Sequence, residues 1–434
     1  MALLSALSSL SPRMTTFLLG GFVLCLLIFS IPPGSMSDSA TDWSPPNRFS
    51  SQKTSPGQAS FRDKLAHVLP SDRLPHARTL LPLPSEGDTG EIYAISLARR
   101  TDRRHILSQI ADALDLDFTF IDATDASLPM IDVLMDRVGW QRWERVDEQP
   151  APADEYKPAD YSEDARKGMV YHAFRFEWSG EVQEALQLGA NETGDMPPMY
   201  LGADYWDGLA PGAEEWARER PTKPLPEAGP TWKTSLTEAS VLNNLRMTEM
   251  TRRAGIACWH SHYQAIRDMV YKDHAVGLIL EDDIDIEFDI EKTLLSQWSH
   301  LPSDWDILFL GHCHSEEWRN PPILGAPRFR KTYHALCLHG YALSRKGARK
   351  LLTMLRSADY AYSRPIDHGV KDLVQMHHLV GYSAYPPLIV QRKEDTSDIV
   401  GDLPADFAKS WKAKEGDLAD STLERVRAYE KGQS

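Results

Sequence analysis

A chain of 434 residues with 42% apolar side chains can bury a substantial core, as one large domain or two ordinary ones. Its formal net charge of -15 speaks against a nucleic-acid partner, since duplex binding needs basic patches that displace counterions. Arginines nonetheless cluster at Arg99, Arg100, Arg103 and Arg104, so bulk charge does not exclude a phosphate ligand.

Residues 14–31, MTTFLLGGFVLCLLIFSI, carry no charge, and about 18 residues at the helical rise just reach across a bilayer core. A signal-peptide core is shorter and ends in a small-residue cleavage site, whereas this run ends in Pro32-Pro33-Gly34. A retained anchor is therefore favoured over a cleaved signal. Arg13 precedes the run and Asp38 and Asp42 follow it, which predicts a type II orientation: residues 1–13 cytosolic, the remainder luminal. Cys258, Cys313 and Cys337 lie beyond the anchor and permit at most one bridge. Either Cys313 pairs with Cys337 or both are independent buried thiols. The sequon Asn191-Glu192-Thr193 adds minor support for a lumen, and with no KDEL-like signal at Lys431 to Ser434 the Golgi is the expected compartment.

Residues 32–90 are rich in Ser, Pro and Gly and predict a flexible stem. EIYAISL (91–97) predicts a strand, followed by a helix from about Arg103 to Leu114 capped by Thr101 or Asp102, and FTFIDATD (118–125) a second strand. Residues 130–240 read as a long insertion. Trp140, Trp143, Trp178, Trp206 and Trp216 form its own small core there, or some of these rings line a sugar-acceptor groove. Order resumes at Thr248 with a helix carrying Ile256, Trp259, Tyr263, Ile266 and Met269 on one face. Strands follow at 304–311 and 335–344, then a helix from Arg345 capped by Ser344, then PIDHGVKDLV and YSAYPPLIVQ. Residues 401–434 form a helical tail.

LILEDDIDIEFDI (278–290) is the most informative segment. A fully apolar strand stops abruptly in Glu281, Asp282, Asp283 and Asp285, at the strand end where open α/β sheets bind ligands. Crowded carboxylates raise one another's pKa unless a positive group sits among them, and a hard divalent cation with oxygen ligands meets that need. On an extended segment Glu281, Asp283 and Asp285 share a face and are the predicted metal ligands, with Asp282 on the other.

ISLARRTDRR, GIACWHSHYQAIR, LILEDDIDI, WDILFLGHC, HGYALSRKGARKLL and PIDHGVKDL occur here in the order found in glycosyltransferase family 25, and the chain resembles that family, its fungal members most, over 91–126 and 248 to about 400. The family includes bacterial lipopolysaccharide galactosyltransferases and procollagen galactosyltransferases. The resemblance implies an α/β GT-A-like, Rossmann-type nucleotide-sugar domain, a UDP-sugar donor (UDP-galactose as a rule), a glycan or glycoprotein acceptor, and a divalent metal, Mn2+. It assigns the donor site to Leu97, Arg99, Arg100, Arg104, Asp282 and His262, with one or two of the clustered arginines on the diphosphate beside a helix N-terminus. A metal bridging the diphosphate would neutralise the charge that develops on the leaving group. Transfer with inversion needs a carboxylate to accept the acceptor's proton, and Asp367 is the candidate, with Asp306 behind it; Asp367 equally suits anchoring sugar hydroxyls. His262, beside Ser261 and near Trp259, also fits a structural histidine. Two other readings compete: a metal-dependent hydrolase using His312, His314, His339, His377 and His378 with Glu281, and a lectin-like form that binds without turnover.

Overall fold

The computed structural model describes residues 47–50, 80–137, 178–189, 200–208, 210–219, 253–313, 315–358, 360–362, 365–392 and 418–432. The expected anchor at 14–31, the sequon at Asn191, Trp140, Trp143 and His314 lie outside them. Among the described residues no helix is long and apolar enough to cross a membrane.

The first structural unit of the domain is β2 (Gly90–Ser96), α1 (Thr101–Leu114) and β3 (Asp117–Asp122), with β2 and β3 parallel. The helix starts two residues earlier than expected, with Arg100 as its N-cap and no side-chain cap. The chain then crosses to the other side of β2 through α5 (Arg253–Tyr271) and β4 (Val276–Glu281), which pairs parallel with β2. The first crossover runs to one side of β2 and the second to the other, so β2 and β4 flank a topological switch point, where open sheets bind ligands at strand C-termini.

Beyond β4 the sheet turns mixed. β9 (Leu336–Ser344) is antiparallel to both β4 and β6 (Ile307–Cys313), and β10 (Gly381–Ala384) is parallel to β6. β8 (Ala326–Lys331) and β7 (Pro322–Ile323) extend that edge. β5 (Ile284–Ile286) pairs with β11 (Ile389–Gln391), which also joins β6. A cis Tyr385-Pro386 bond lies between β10 and β11.

Side chains alternate across the central strands β2, β4, β6 and β9, and both faces of the sheet are buried there. Tyr93, Ile95, Ile279, Phe309 and Tyr341 belong to one apolar cluster; Ile92, Ala94, Leu278, Leu280 and Leu308 belong to the other. The first face carries α5, α7 (Arg345–Leu355) and α8 (Ile366–Gln375); the second carries α1, α6 (Ile290–Trp298) and α9 (Thr422–Glu430). The predicted apolar stripe of α5 is realised, with Ile256, Trp259, Tyr263, Ile266 and Met269 all buried. Ser344 caps α7 as expected, its Oγ accepting the Gly347 N–H at 3.0 Å.

Two expectations about peripheral segments are corrected. Part of the supposed flexible stem is built in: β1 (Asn47–Ser50) pairs antiparallel with β3, and Leu80 and Leu81 are buried beside Ile92 and Leu107. Among the described residues, Trp178 and Trp206 of the insertion pack against the main domain rather than forming a core of their own. Its described pieces, α2 (Gly180–Gly189), α3 (Gly202–Trp206) and α4 (Ala213–Glu219), place Trp178 against Tyr360 and His378, and Trp206 against Tyr362. A buried ion pair completes the attachment, with Arg356 Nε and Nη2 donating to the Asp204 carboxylate and Tyr263 Oη adding a third donor. Trp178 and Trp206 are therefore packing residues, closed to a sugar.

Candidate active site

Register fixes what meets at the switch point. Ile95 lies opposite Glu281 and Ser96 opposite Asp122, so the ends of β2, β3 and β4 converge. The turn into α1, the start of α5 and the acidic end of β4 enclose one cleft. Its lining includes Leu97, Arg99, Arg103, Ser261, His262 and Glu281.

The chain bends at Asp282 and Asp283 between β4 and β5, and this breaks the expected alternation. Asp282 and Asp283 do not diverge: both contact Arg103, whose Nη1 donates to Asp282 Oδ1 at 2.6 Å and to Asp283 Oδ2 at 3.3 Å. Ser96 Oγ donates to the other Asp282 oxygen at 2.8 Å, and Gln391 Nε2 donates to both Asp283 oxygens at 3.1 Å. Burial, then the charge of Glu281, push Asp283 up to about 7 against the pull of Arg103. Burial lowers the Arg103 pKa, but the Asp283 and Asp282 charges outweigh it and the net shift is upward.

Asp285 is corrected as a predicted metal ligand. It faces away from the cleft onto the C-terminal segment, accepting from Ser421 Oγ at 2.5 Å, Leu423 N at 3.2 Å and Ile286 N at 2.8 Å. Asp306 is corrected as a reserve base. It precedes β6, and the pairing of Ile307 with Leu343 and of Leu343 with Gly277 puts it at the sheet edge opposite Glu281. There it is fully buried and takes Lys350 Nζ and Val380 N, while its backbone approaches Gly347 so closely that a Cβ there would lie 1.9 Å from the Asp306 carbonyl oxygen. Asp367, in the first turn of α8, accepts from Cys337 N at 3.2 Å, and its charge reaches Cys258 in the cleft wall.

The four arginines take different partners. Arg99 lines the cleft and pairs with Asp125 at 3.0 Å; Arg100 pairs with Asp102. Arg104 is corrected as a donor ligand: it ties the Ser96 carbonyl to Asp122 and covers the Phe120 ring, clamping the ends of β2 and β3 together outside the cleft lining. Ser96 and Gln391 go unassigned by sequence reasoning, and Arg103 is named there only as one of the clustered arginines, not as the partner of Asp282 and Asp283. For Arg103 a signal existed in its place among the clustered arginines at a helix N-terminus; Gln391 arrives from a strand more than 100 residues away, with no local signature.

On α5, Ser261 Oγ accepts the Thr124 N–H at 2.9 Å, tying the β3 exit to the helix. His262 is buried, with Nδ1 3.1 Å from Tyr341 Oη and Nε2 3.4 Å from Glu281 Oε1. Burial, then the charges of Glu281, Asp367 and Asp283, push the Cys258 thiol upward. Burial lowers His260 to about 4, and its two nitrogens face Thr124 Oγ1 and Gln264 Nε2. Among the described residues the histidines of the hydrolase reading form no metal-holding group: His312 lies between the Ala384 carbonyl and Ser315 Oγ, and His339 meets the Ile389 carbonyl. Cys313 and Cys337 are bonded, joining the end of β6 to the start of β9.

Residues 233–368 match the family described as "Glycosyltransferase family 25 (LPS biosynthesis protein)". Among curated proteins, the chain is 26% identical to procollagen galactosyltransferase 1-B of Xenopus laevis over 137 residues, 31% of this chain and 22% of that protein. It is 23% identical to procollagen galactosyltransferase 2 of Homo sapiens over 140 residues, 31% of this chain and 21% of that protein. It is also 25% identical to the human protein named inactive glycosyltransferase 25 family member 3 over 133 residues, 30% of this chain and 22% of that protein. The match thus spans about a fifth of the length of these relatives.

Proposed function

Residues 233–368 belong to glycosyltransferase family 25, and on that premise we propose that this chain transfers a sugar, galactose, from a UDP-sugar to a hydroxyl of a glycan or glycoprotein with inversion, in a GT-A-like domain. The observation that carries the reading is the Arg103–Asp282–Asp283 cluster beside Glu281, at the switch point between β2 and β4.

The donor set suits a hard cation. Glu281 and Asp283 offer oxygen ligands only, and burial, then the charge of Glu281, raise Asp283, both of which a divalent ion would offset. Mn2+ held there would supply charge neutralisation for the departing diphosphate. The protein's own groups do the rest. Arg103 and Ser96 fix Asp282, and Gln391 fixes Asp283, so the acidic edge is rigid before ligand arrives. Arg99, at the cleft mouth, meets phosphate oxygens, while Leu97 offers backbone contacts to base or ribose. Asp367 accepts the acceptor hydroxyl's proton as the oxygen bonds to the anomeric carbon and the sugar's bond to the diphosphate breaks. The Cys313–Cys337 bond supports folding in an oxidising compartment, in keeping with a luminal Golgi domain on a type II anchor.

The test is sugar release and transfer from UDP-galactose by the full chain. Turnover requiring Mn2+, and falling roughly 100-fold or more in Asp283→Ala with the fold retained, is expected. Phosphoester cleavage without an acceptor would put a hydrolase in its place. Donor binding without turnover would make the chain a lectin-like form, as the word "inactive" in one relative's name would then suggest.

A further inference from the structure

Cys258 and His262 stand one turn apart on α5, on a shared face, and Glu281 ends β4 opposite them. One donor atom from each, a sulfur, an imidazole nitrogen and a carboxylate oxygen, all lie within 4.8 Å of one another. His262 is oriented from behind. Its ring stacks on that of fully buried Tyr341, with centroids 5.8 Å apart, and its Nδ1 meets Tyr341 Oη at 3.1 Å. With Nδ1–H donating to that oxygen, the Nε2 lone pair is free for a cation held between it and Glu281 Oε1, 3.4 Å away. Metal-ligating histidines are commonly fixed by such a partner on the far nitrogen.

We propose that Cys258, His262 and Glu281 form a zinc site in the wall of the cleft, with the cleft side left open for a water or a ligand. Thiolate and imidazole are preferred zinc ligands, whereas Mn2+ prefers an all-oxygen set, so the two cations sort to different sides of Glu281. One thiolate and one carboxylate balance the ion's double charge, and the thiol proton passes to solvent on binding. Three protein ligands with a fourth position open is the pattern of reactive or exchangeable zinc sites. Because Glu281 is common to both sites, zinc bound here withdraws a ligand from the hard-cation position. Zinc is therefore an inhibitor of the transferase, a consequence that rests on the reading above; the site itself does not.

The experiment uses Co2+ as the probe, on the full chain with no donor present. Expected are a sulfur-to-cobalt charge-transfer band in the near ultraviolet and intense visible bands of a four-coordinate ion, both erased by equimolar Zn2+. Cys258→Ser should lose the charge-transfer band, and His262→Gln should weaken binding about tenfold or more. Weak visible bands without charge transfer in the wild type, or identical spectra for wild type and Cys258→Ser, would overturn the site. Should Cys258→Ser fail to fold, alkylation of the native protein decides: Zn2+ should protect the Cys258 peptide from N-ethylmaleimide, and unaltered labelling would refute the assignment. A cobalt-thiolate spectrum from a chain inactive toward every UDP-sugar would preserve the zinc site and remove only the transferase.

Discussion

Arg103 sets the charge balance of the cleft. It is buried between two carboxylates, so its loss removes the cation that offsets their charge. Breaking such a pair from one side costs about 3–5 kcal/mol, and Arg103→Leu is expected to lose stability on that scale in urea denaturation. Arg103→Lys should recover only part of it, since a compact ammonium holds its hydration more strongly than a guanidinium and costs more to bury beside the two carboxylates. A leucine variant as stable as the wild type would show that Arg103 is not the balancing cation. His312 gives a pH signature. Burial depresses it from 6.5 to about 4, and it is neutral in the fold. The unfolded chain binds the extra proton between those values, so this contribution is complete above pH 6.5 and drains away as pH falls toward 4. Unfolding free energy measured across that window should decline on acidification, less steeply in His312→Gln; equal slopes would assign the pH dependence to other groups.

Among the elements, β4 with its acidic end, β2, α1, α5 and the Ser344 cap were all legible locally, because helical and strand periodicities are properties of a few consecutive residues. The assignment failed where a bend or a distant partner decides. Alternation predicted Glu281, Asp283 and Asp285 on one face, and the bend at Asp282 and Asp283 cancels it. Asp285 instead anchors α9, and nothing near it in sequence announces Ser421 or Leu423. Asp285→Ala should therefore loosen α9 rather than empty the cleft. A cost of about 1–3 kcal/mol and faster hydrogen exchange over residues 418–432 are expected. Unchanged exchange there, with cation affinity lost, would return Asp285 to the metal.

At the scale of the whole molecule, the sheet's two buried faces hold the strand ends in register, and the mixed half braces the parallel half through β9. The Cys313–Cys337 bond, spanning 24 residues of sequence, pins β9 where its backbone turns through a positive φ of 58° at Cys337 and gives its N–H to Asp367. Cys313→Ser should lower stability by about 2–4 kcal/mol by relaxing the unfolded chain's constraint, seen as a shifted denaturation midpoint that reductant reproduces in the wild type. The insertion could not be read this way: Trp178, Asp204 and Trp206 find their partners at Tyr360, Arg356 and Tyr362, over 150 residues onward.

The central claim is that a cation at Glu281 and Asp283 holds a nucleoside diphosphate at the mouth of β2 and β4. Calorimetric titration of UDP into the full chain, with Mn2+ and with chelator, tests it most directly. UDP should bind only when Mn2+ is present, should weaken about tenfold or more, near 1.4 kcal/mol, in Asp283→Asn, and should bind unchanged in Asp304→Asn at the far sheet edge. Affinity indifferent to both the chelator and Asp283→Asn would contradict the account.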